Sequence, residues 1–503
     1  MTGFSFIHAA DLHLDAPFRG LGLLPENEGF APQRALRQAG FLALERLTGL
    51  CIASGADFLL LAGDVYNSAD SSLRARLALR DAFVRLETAG IGVFLAHGNH
   101  DPLRDEGGYQ GGNGQAGSGQ AAVPWPDNVH VFGPEVGCRI AFARGGGAPV
   151  ALVHGVSHSG PAETRNLAAT FKRKTPSLLE PDLFQIGLLH CALAGVSGGH
   201  DAYAPCTFTD LAEAELDYWA LGHVHACRLF DRRGKTLPSP MPDPAGGDEP
   251  GGRPHNQQDD RPDNRHDGGQ DNKPGRAGVV AAYSGSLQGL HVNESGPHGC
   301  LLVRVDAKGR ALTQGLRIAP VQWESLRLEP GPDVAALPAL ESFILERAEA
   351  LAPQQPGRET PEEGGFAPES LAVRIVLAGQ SPLHAELAAP DAAEDLRLRL
   401  GRDLAARRVW VRDLAVRLAP VLDREAALLR PDLAGEVLRL AESLGHDGLS
   451  PTLAAALDPL FNRARLRKDI DPPEADELAA LVDEAALLCL DLLGPEQDEA
   501  EEA

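Results

Sequence analysis

The seven cysteines, at positions 51, 138, 191, 206, 227, 300 and 489, form no Cys-x-x-Cys pair. An odd and scattered set excludes a disulfide framework and a paired-cysteine zinc site, and leaves reduced, buried thiols as the expectation. No run of about 18 apolar residues occurs, which excludes a membrane-spanning helix. The N-terminus enters an apolar run at once, without the charged and apolar regions of a secretory signal. A soluble, cytoplasmic protein with no membrane contact is therefore expected. Basic charge is also scarce: 46 Lys and Arg face 70 Asp and Glu, for a formal net charge of −24. The deficit is uneven, because residues 321–503 hold 18 basic and 36 acidic side chains, leaving 28 against 34 for residues 1–320. Contacts to a phosphate backbone call on Lys and Arg, so this balance speaks against tight stand-alone nucleic-acid binding.

What the chain does contain is a series of short polar motifs, each placed where a hydrophobic run stops. Asp11-Leu12-His13 follows Phe4–Ile7, Gly63-Asp64 follows Phe58–Ala62, and Gly98-Asn99-His100-Asp101 follows Ile91–Ala96. His190 follows Ile186–Leu189, and Gly222-His223-Val224-His225 follows Tyr218–Leu221. The runs read as buried strands, and strands of a buried sheet end in register, so their ends converge on one point. Asp-x-His or Gly-Asp alone arises by chance; all the motifs in this order carry weight together.

The residue types suit two adjacent divalent cations. A two-metal phosphoesterase site needs one bridging carboxylate to hold ions about 3.5–4 Å apart, and terminal ligands that leave room for water and phosphate. Asp64 is the expected bridge. Asp11, His13 and His225 would complete the first site, and Asn99, His190 and His223 the second. Two anionic ligands against two dications leave surplus positive charge, which binds a phosphodiester and acidifies a water for in-line attack. His100 is not needed as a ligand and is the expected general acid for the leaving alkoxide, with Asp101 orienting its ring. His8, His97, His154 and His158 lie near the same strand ends and are read as supporting or structural; Cys191 is read as a core residue.

These residues resemble the calcineurin-like metallophosphoesterase superfamily, and within it the DNA-repair nuclease branch of the SbcD and YhaO type. The branch-level wording is Phe6-Ile7-His8-Ala9-Ala10-Asp11-Leu12-His13-Leu14-Asp15, Tyr203-Ala204-Pro205, Asp217-Tyr218-Trp219-Ala220-Leu221-Gly222-His223 and Tyr283-Ser284-Gly285-Ser286-Leu287-Gln288-Gly289. The resemblance covers roughly residues 4–318 and the remainder in outline. It implies an α/β fold of four layers (αββα, two mixed sheets flanked by helices), two divalent metal ions with Mn²⁺ as the usual nuclease metal, DNA as substrate, and an SMC-like ATPase partner of the SbcC or YhaN type. A homodimer stays open.

At 503 residues the chain is too long for one core. Residues 1–320 read as the catalytic domain, with low-complexity insertions at about 105–122 and 238–277 that lack the apolar content for a packed core. The second reads as an overgrown hairpin tip between Ala226–Phe230 and Val279–Tyr283, and its His255 and His266 as solvated. Residues 321–420 read as a small α+β module, which the resemblance implies is a capping domain: strands at Trp323–Leu328, Ala372–Leu377 and Val409–Leu418, helices at Val334–Leu351 and Ala392–Ala405. Its Arg397, Arg399, Arg402, Arg407, Arg408 and Arg412 suit a solvated helix or a DNA contact; Lys172-Arg173-Lys174 with Arg165 pose the same choice. Residues 421–503 read as a helical region with a helix at Glu474–Leu493 and an acidic tail. The metal site alone is expected to perform hydrolysis, and the chain beyond Ile318 to govern substrate choice and partner docking. Two other readings remain: a small-nucleotide phosphodiesterase, for which shorter chains are typical, and a non-catalytic scaffold, for which ligands would have been lost.

Overall fold

The computed structural model describes residues 3–16, 32–67, 72–103, 124–174, 183–196, 203–241, 280–353, 355–359, 364–389, 391–422, 424–446, 481–483 and 485–490. The insertion at 105–122, residues 242–277 of the second insertion with His255 and His266, most of the Glu474–Leu493 helix and the acidic tail lie outside the described residues.

In chain order the strands up to residue 317 are β1 (Phe4–Ala9), β2 (Phe58–Ala62), β3 (Gly92–Ala96), β4 (Val129–Val131), β5 (Gly137–Phe142), β6 (Pro149–Gly155), β7 (Phe184–His190), β8 (Tyr218–Gly222), β9 (Arg228–Phe230), β10 (Thr236–Leu237), β11 (Ala281–Tyr283), β12 (Gly299–Val305) and β13 (Ala311–Arg317). Helices α1 (Pro32–Ala53), α2 (Leu73–Thr88) and α3 (Phe208–Glu213) accompany them. One sheet has the order β13-β12-β1-β2-β3-β4 and the other β10-β9-β11-β8-β7-β6-β5. Both are mixed: β1, β2, β3 and β4 run parallel, as do β6, β7, β8 and β11, with antiparallel strands at the flanks.

The apolar runs are continuous because both faces of each strand are covered. Phe6, Phe58, Leu60, Phe94, Ile186, Leu188, Tyr218 and Ala220 meet between the two sheets. Their sequence neighbours point outward: Ile7, Leu59 and Leu61 pack under α1 and α2, whereas Leu189, Cys191, Trp219 and Leu221 pack with α3. Helix, sheet, sheet and helix thus form the four layers expected. Ser72 begins α2 by accepting the Ala75 N–H, and a Thr207/Asp210 capping box begins α3.

The insertion leaves the second sheet differently from the hairpin-tip expectation. β9 and β11 do pair antiparallel, but a tight turn at Asp231–Lys235 ends β9, and β10 then pairs with its other edge. The chain therefore enters the insertion from β10.

After residue 320 come β14 (Val321–Leu328), α4 (Leu337–Ala350), β15 (Ser370–Gln380), the one-turn α5 (His384–Leu387), α6 (Ala392–Ala405) and β16 (Val409–Ala419). The three strands form a parallel sheet in the order β14-β15-β16. α4 and α6 cover one face through Leu340, Ile344, Leu396, Leu400 and Leu404. The other face presents Val321, Trp323, Ala372 and Trp410 to Leu36 and Ala39 of α1 and to Val292. Helices α7 (Arg424–Leu428) and α8 (Leu433–His446) follow and share a small cluster with Ala486. No helix among the described residues is long and apolar enough to cross a membrane.

Candidate metal centre

The strand ends do stand level: Ala9 lies opposite Leu61, Ala62 opposite Ala96, and His190 opposite Gly222. The next residues turn sharply. Asp11, His13, Asp64 and His223 all have positive φ, at 51°, 43°, 49° and 108°. Non-glycine residues in that region carry about 1–3 kcal/mol of strain each and persist only where surrounding bonds hold them. Those bonds are present: Asp11 N and His13 N donate to the carbonyls of Gly63 and Asp64, and His223 N donates to the Asp11 carboxylate at 3.1 Å. The glycines make space for the polar groups. A Cβ on Gly63 would lie 2.4 Å from His190 Nδ1, one on Gly98 2.2 Å from Asp64 Oδ1, and one on Gly222 1.8 Å from the Ala62 carbonyl oxygen.

Three imidazoles present the same nitrogen to the centre. His13 Nδ1 donates to Asn67 Oδ1 at 2.9 Å, His190 Nδ1 to the Ala62 carbonyl at 2.9 Å, and His225 Nδ1 to Glu294 Oε1 at 3.2 Å. With Nδ1 held by an acceptor in each ring, Nε2 turns inward. His13 Nε2 and His225 Nε2 then face each other at 3.2 Å, and His190 Nε2 lies 3.0 Å from Asn99 Oδ1 and 3.3 Å from Asp64 Oδ2. Nitrogens gathered against one another and against the Asn99 and Asp64 oxygens can exchange their protons for a metal ion, so this donor set fits divalent metal ions.

Among the described residues two tight groups of candidate ligands emerge, Asp11–His13–His225 and Asp11–Asp64–His190, each with its atoms within 4.8 Å of one another. The first matches the expected site. In the second, Asp11 approaches His190 at Nδ1, 3.9 Å away, a nitrogen already committed to Ala62. Asp64 Oδ2 instead reaches the inward nitrogens of both sets, 3.3 Å from His190 Nε2 and 3.9 Å from His13 Nε2. That makes Asp64 the better candidate for the bridge. His223 stands beside the second set, its ring edge-on to His190 with centroids 5.3 Å apart.

Charge is balanced within this buried cluster. Burial pushes the Asp11 carboxyl up to about 6 against the pull of His190 and His225. Burial also opposes charge on His190 and His225, yet the attraction of Asp64 and Asp11 for the first, and of Glu294 and Asp11 for the second, lifts both to about 9. Burial lowers His13 to about 4. Asp64 stays ionised, well below the ordinary carboxylate value; burial works against this, but His190 and His13 outweigh it. The pocket is built for positive charge.

His100 is exposed, its ring edge-on to His13 at 4.9 Å and its N–H donating to Asp64 Oδ1 at 2.9 Å. Asp101 requires a correction. Its carboxylate does not orient the His100 ring; it accepts the backbone N–H groups of Asp64, Val65 and Gly98 at 2.7–3.2 Å and lies 3.5 Å from His97 Nδ1. The reason is that the turn after β2 points the Asp64 and Val65 N–H groups, and the turn at Gly98 its own N–H, at this carboxylate, so Asp101 shapes the loop that carries Asp64. His8 bonds Tyr218 and the Leu221 carbonyl inside the sheet sandwich, His154 bonds Gln185, and His158 donates to the His190 carbonyl. Cys191 packs in the outer core beside Cys206, and all seven thiols are free.

The arginines of the first basic run are ion-paired: Arg165 forks onto Glu163, and Arg173 pairs with Asp217. Arg397, Arg399, Arg407 and Arg412 pair with Glu394, Glu341, Glu349 and Asp413, which favours the ion-paired helix reading for that face. Asn67 and Glu294, which hold two of the histidines, escaped sequence reasoning. Asn67 lies three residues past Asp64, and that proximity was a signal; Glu294 lies 69 residues from His225, in a loop with no local sign of it.

Residues 4–227 match the calcineurin-like phosphoesterase family, a stretch that contains all the ligand turns. A Bacillus subtilis (strain 168) protein, the uncharacterized metallophosphoesterase YhaO, is 39% identical over 225 residues, covering 45% of this chain and 49% of that protein. The chain thus spans about half the length of this curated relative. Fold, turn geometry and sequence match agree that residues 4–227 belong to the calcineurin-like metallophosphoesterase superfamily, whose members bind divalent metals.

Proposed function

We propose that this chain is a two-metal phosphodiesterase that cleaves DNA, with Mn²⁺ as its metal and an SMC-like ATPase as its partner. The observation that carries the hydrolytic part is the convergence of His13, His190 and His225 Nε2 with Asp64 Oδ2. When bound, the two cations supply the charge that gathers a phosphodiester and acidify the attacking water. The chain's own residues do the rest. Asp11, His13, Asp64 and His225 would hold one ion, and Asp64, Asn99, His190 and His223 the other. Asp101 and the glycines keep the turns in place, and His100, exposed at the rim beside His13, donates a proton to the leaving alkoxide oxygen. The DNA and ATPase assignments are supported by the nuclease-branch wording at 203–205, 217–223 and 283–289.

A second reading, a small-nucleotide phosphodiesterase, is favoured by the ion-paired arginines on and just after α6, which present less free positive charge to a duplex. The test is hydrolysis of linear, hairpin and single-stranded DNA, and of a small phosphodiester, with and without Mn²⁺. Metal-dependent DNA cleavage abolished by Asp64→Ala supports the first reading; cleavage of the small ester alone supports the second. Copurification of an ATPase subunit with the tagged full-length chain tests the partner.

A further inference from the structure

The branch-level run Tyr283–Gly289 lies outside the ligand turns, yet the structure ties it to one of them. Ser286 N donates to the His225 carbonyl at 3.0 Å, and Gly285, with φ 77°, lies so close that a Cβ there would sit 2.7 Å from the same oxygen. Eight residues beyond Ser286, Glu294 accepts His225 Nδ1–H through Oε1 at 3.2 Å and Leu290 N–H through Oε2 at 2.9 Å. His298 Nε2 donates to the Glu294 carbonyl at 3.0 Å, and its Nδ1 accepts the Ser286 hydroxyl at 2.9 Å, which closes the loop on itself. A carboxylate is an acceptor only, so Glu294 assigns the proton of His225 to Nδ1 and leaves Nε2 for the centre.

The far side of the same segment is fastened to β14. Gln288 bonds both backbone groups of Val321, accepting its N–H at 3.1 Å and donating to its carbonyl at 2.6 Å. Trp323, fully buried, donates its indole N–H to the Gly289 carbonyl at 2.8 Å, and the Trp323 carbonyl accepts from Gly296 N at 2.9 Å. A Cβ on Gly289 would meet Glu294, His298 and Trp323 at 3.0 Å each, so the segment is pressed between the metal centre and the C-terminal sheet.

We propose that Glu294 is a positioning residue for the Asp11–His13–His225 site, and that residues 286–298 form a strap through which the docking of β14 sets that site's affinity for its cation. The inference rests on the two-metal reading above. It makes the C-terminal sheet part of the apparatus that holds His225.

The test is titration of the full-length, chelator-treated protein with Mn²⁺, with the free ion read by electron paramagnetic resonance. Wild type should bind two equivalents. Glu294→Ala should weaken one of them by about 10–100-fold and leave the other unchanged. Glu294→Gln, whose amide oxygen still accepts the Nδ1 proton, should lose less. Gln288→Ala touches neither His225 nor any ligand, and should weaken the same equivalent as Glu294→Ala. Two equivalents at wild-type affinity in Glu294→Ala would overturn the positioning role, as would equal losses in both equivalents. An unchanged Gln288→Ala would overturn the strap. A wild-type chain binding fewer than two equivalents would instead remove the two-metal reading itself, and the inference with it.

Discussion

At the scale of single residues, His100 and Asp101 are neighbours with different work. Asp101 is buried against three backbone donors, whereas His100 is exposed beside His13. His100→Ala should therefore cut turnover by roughly 10²–10⁴ on substrates with poor leaving groups and keep both metals. Bis-p-nitrophenyl phosphate, whose leaving group hardly needs a proton, should be far less affected. Equal losses on the two substrates in steady-state assays would reassign the residue. The histidines also set a pH dependence for the metal-free fold. His190 and His225 hold protons up to about 9 in the fold against 6.5 ordinarily, so their stabilising contribution is complete below 6.5 and is lost as pH rises through 9. His8, His13 and His158 are pushed by burial down to about 3, 4 and 4, so below 6.5 the unfolded chain takes up protons that the fold refuses. Chelator-treated protein should thus melt highest near pH 6.5. Added Mn²⁺ displaces the protons of His190 and His225, so its gain in Tm should grow as pH rises from 6.5 toward 9. Melting curves across that window check both signs.

At the scale of elements, the two sheets approach closely at Gly222 of β8, where a Cβ would lie 1.8 Å from the Ala62 carbonyl oxygen of β2. Gly222→Ala should push the sheets apart where their ligand turns meet, costing about 1–3 kcal/mol in denaturant unfolding and weakening Mn²⁺ binding. Gly49→Ala in α1, where an added Cβ meets nothing within 4 Å, is the matched control and should be neutral or slightly stabilising. The 238–277 insertion gives a second element-level expectation. Leu237 of β10 and Ala282 of β11 both lie opposite Leu229, on either side of β9. They are therefore about two strand spacings, or about 10 Å, apart. Replacing residues 242–279 with a linker of roughly four residues should preserve solubility and metal-dependent hydrolysis; loss of either would show that the segment packs or binds substrate.

At the scale of the whole molecule, the division between a hydrolytic first part and a separable remainder is modified. The sheet that begins at Val321 shares a core with α1 and Val292, Arg46 of α1 reaches both the Ile318 carbonyl and Glu369, and Arg317 N bonds the Gly364 carbonyl. Truncation after residue 320 should strip these partners from the strap and expose the apolar face around Leu36 and Val292. The expected product is aggregated, or soluble with weakened Mn²⁺ binding. A monodisperse fragment with wild-type metal affinity and wild-type turnover on a small phosphodiester would restore the separable picture.

What the sequence alone determined is the set of features written in local order. Every predicted ligand turn follows a strand found where its apolar run lies, β2 and α6 have the bounds predicted for them, and the four layers that the family resemblance implied are present, with the runs buried on both faces. Local pattern suffices there because burial and strand endings depend on residues adjacent in the chain. Asp101's turn toward Asp64, Glu294's hold on His225 and the salt bridges that occupy Arg399 and Arg407 were decided by tertiary structure. Each joins residues tens of positions apart, and a polar side chain takes whichever partner the packed backbone brings within about 3 Å. One sequence position does not say which that will be.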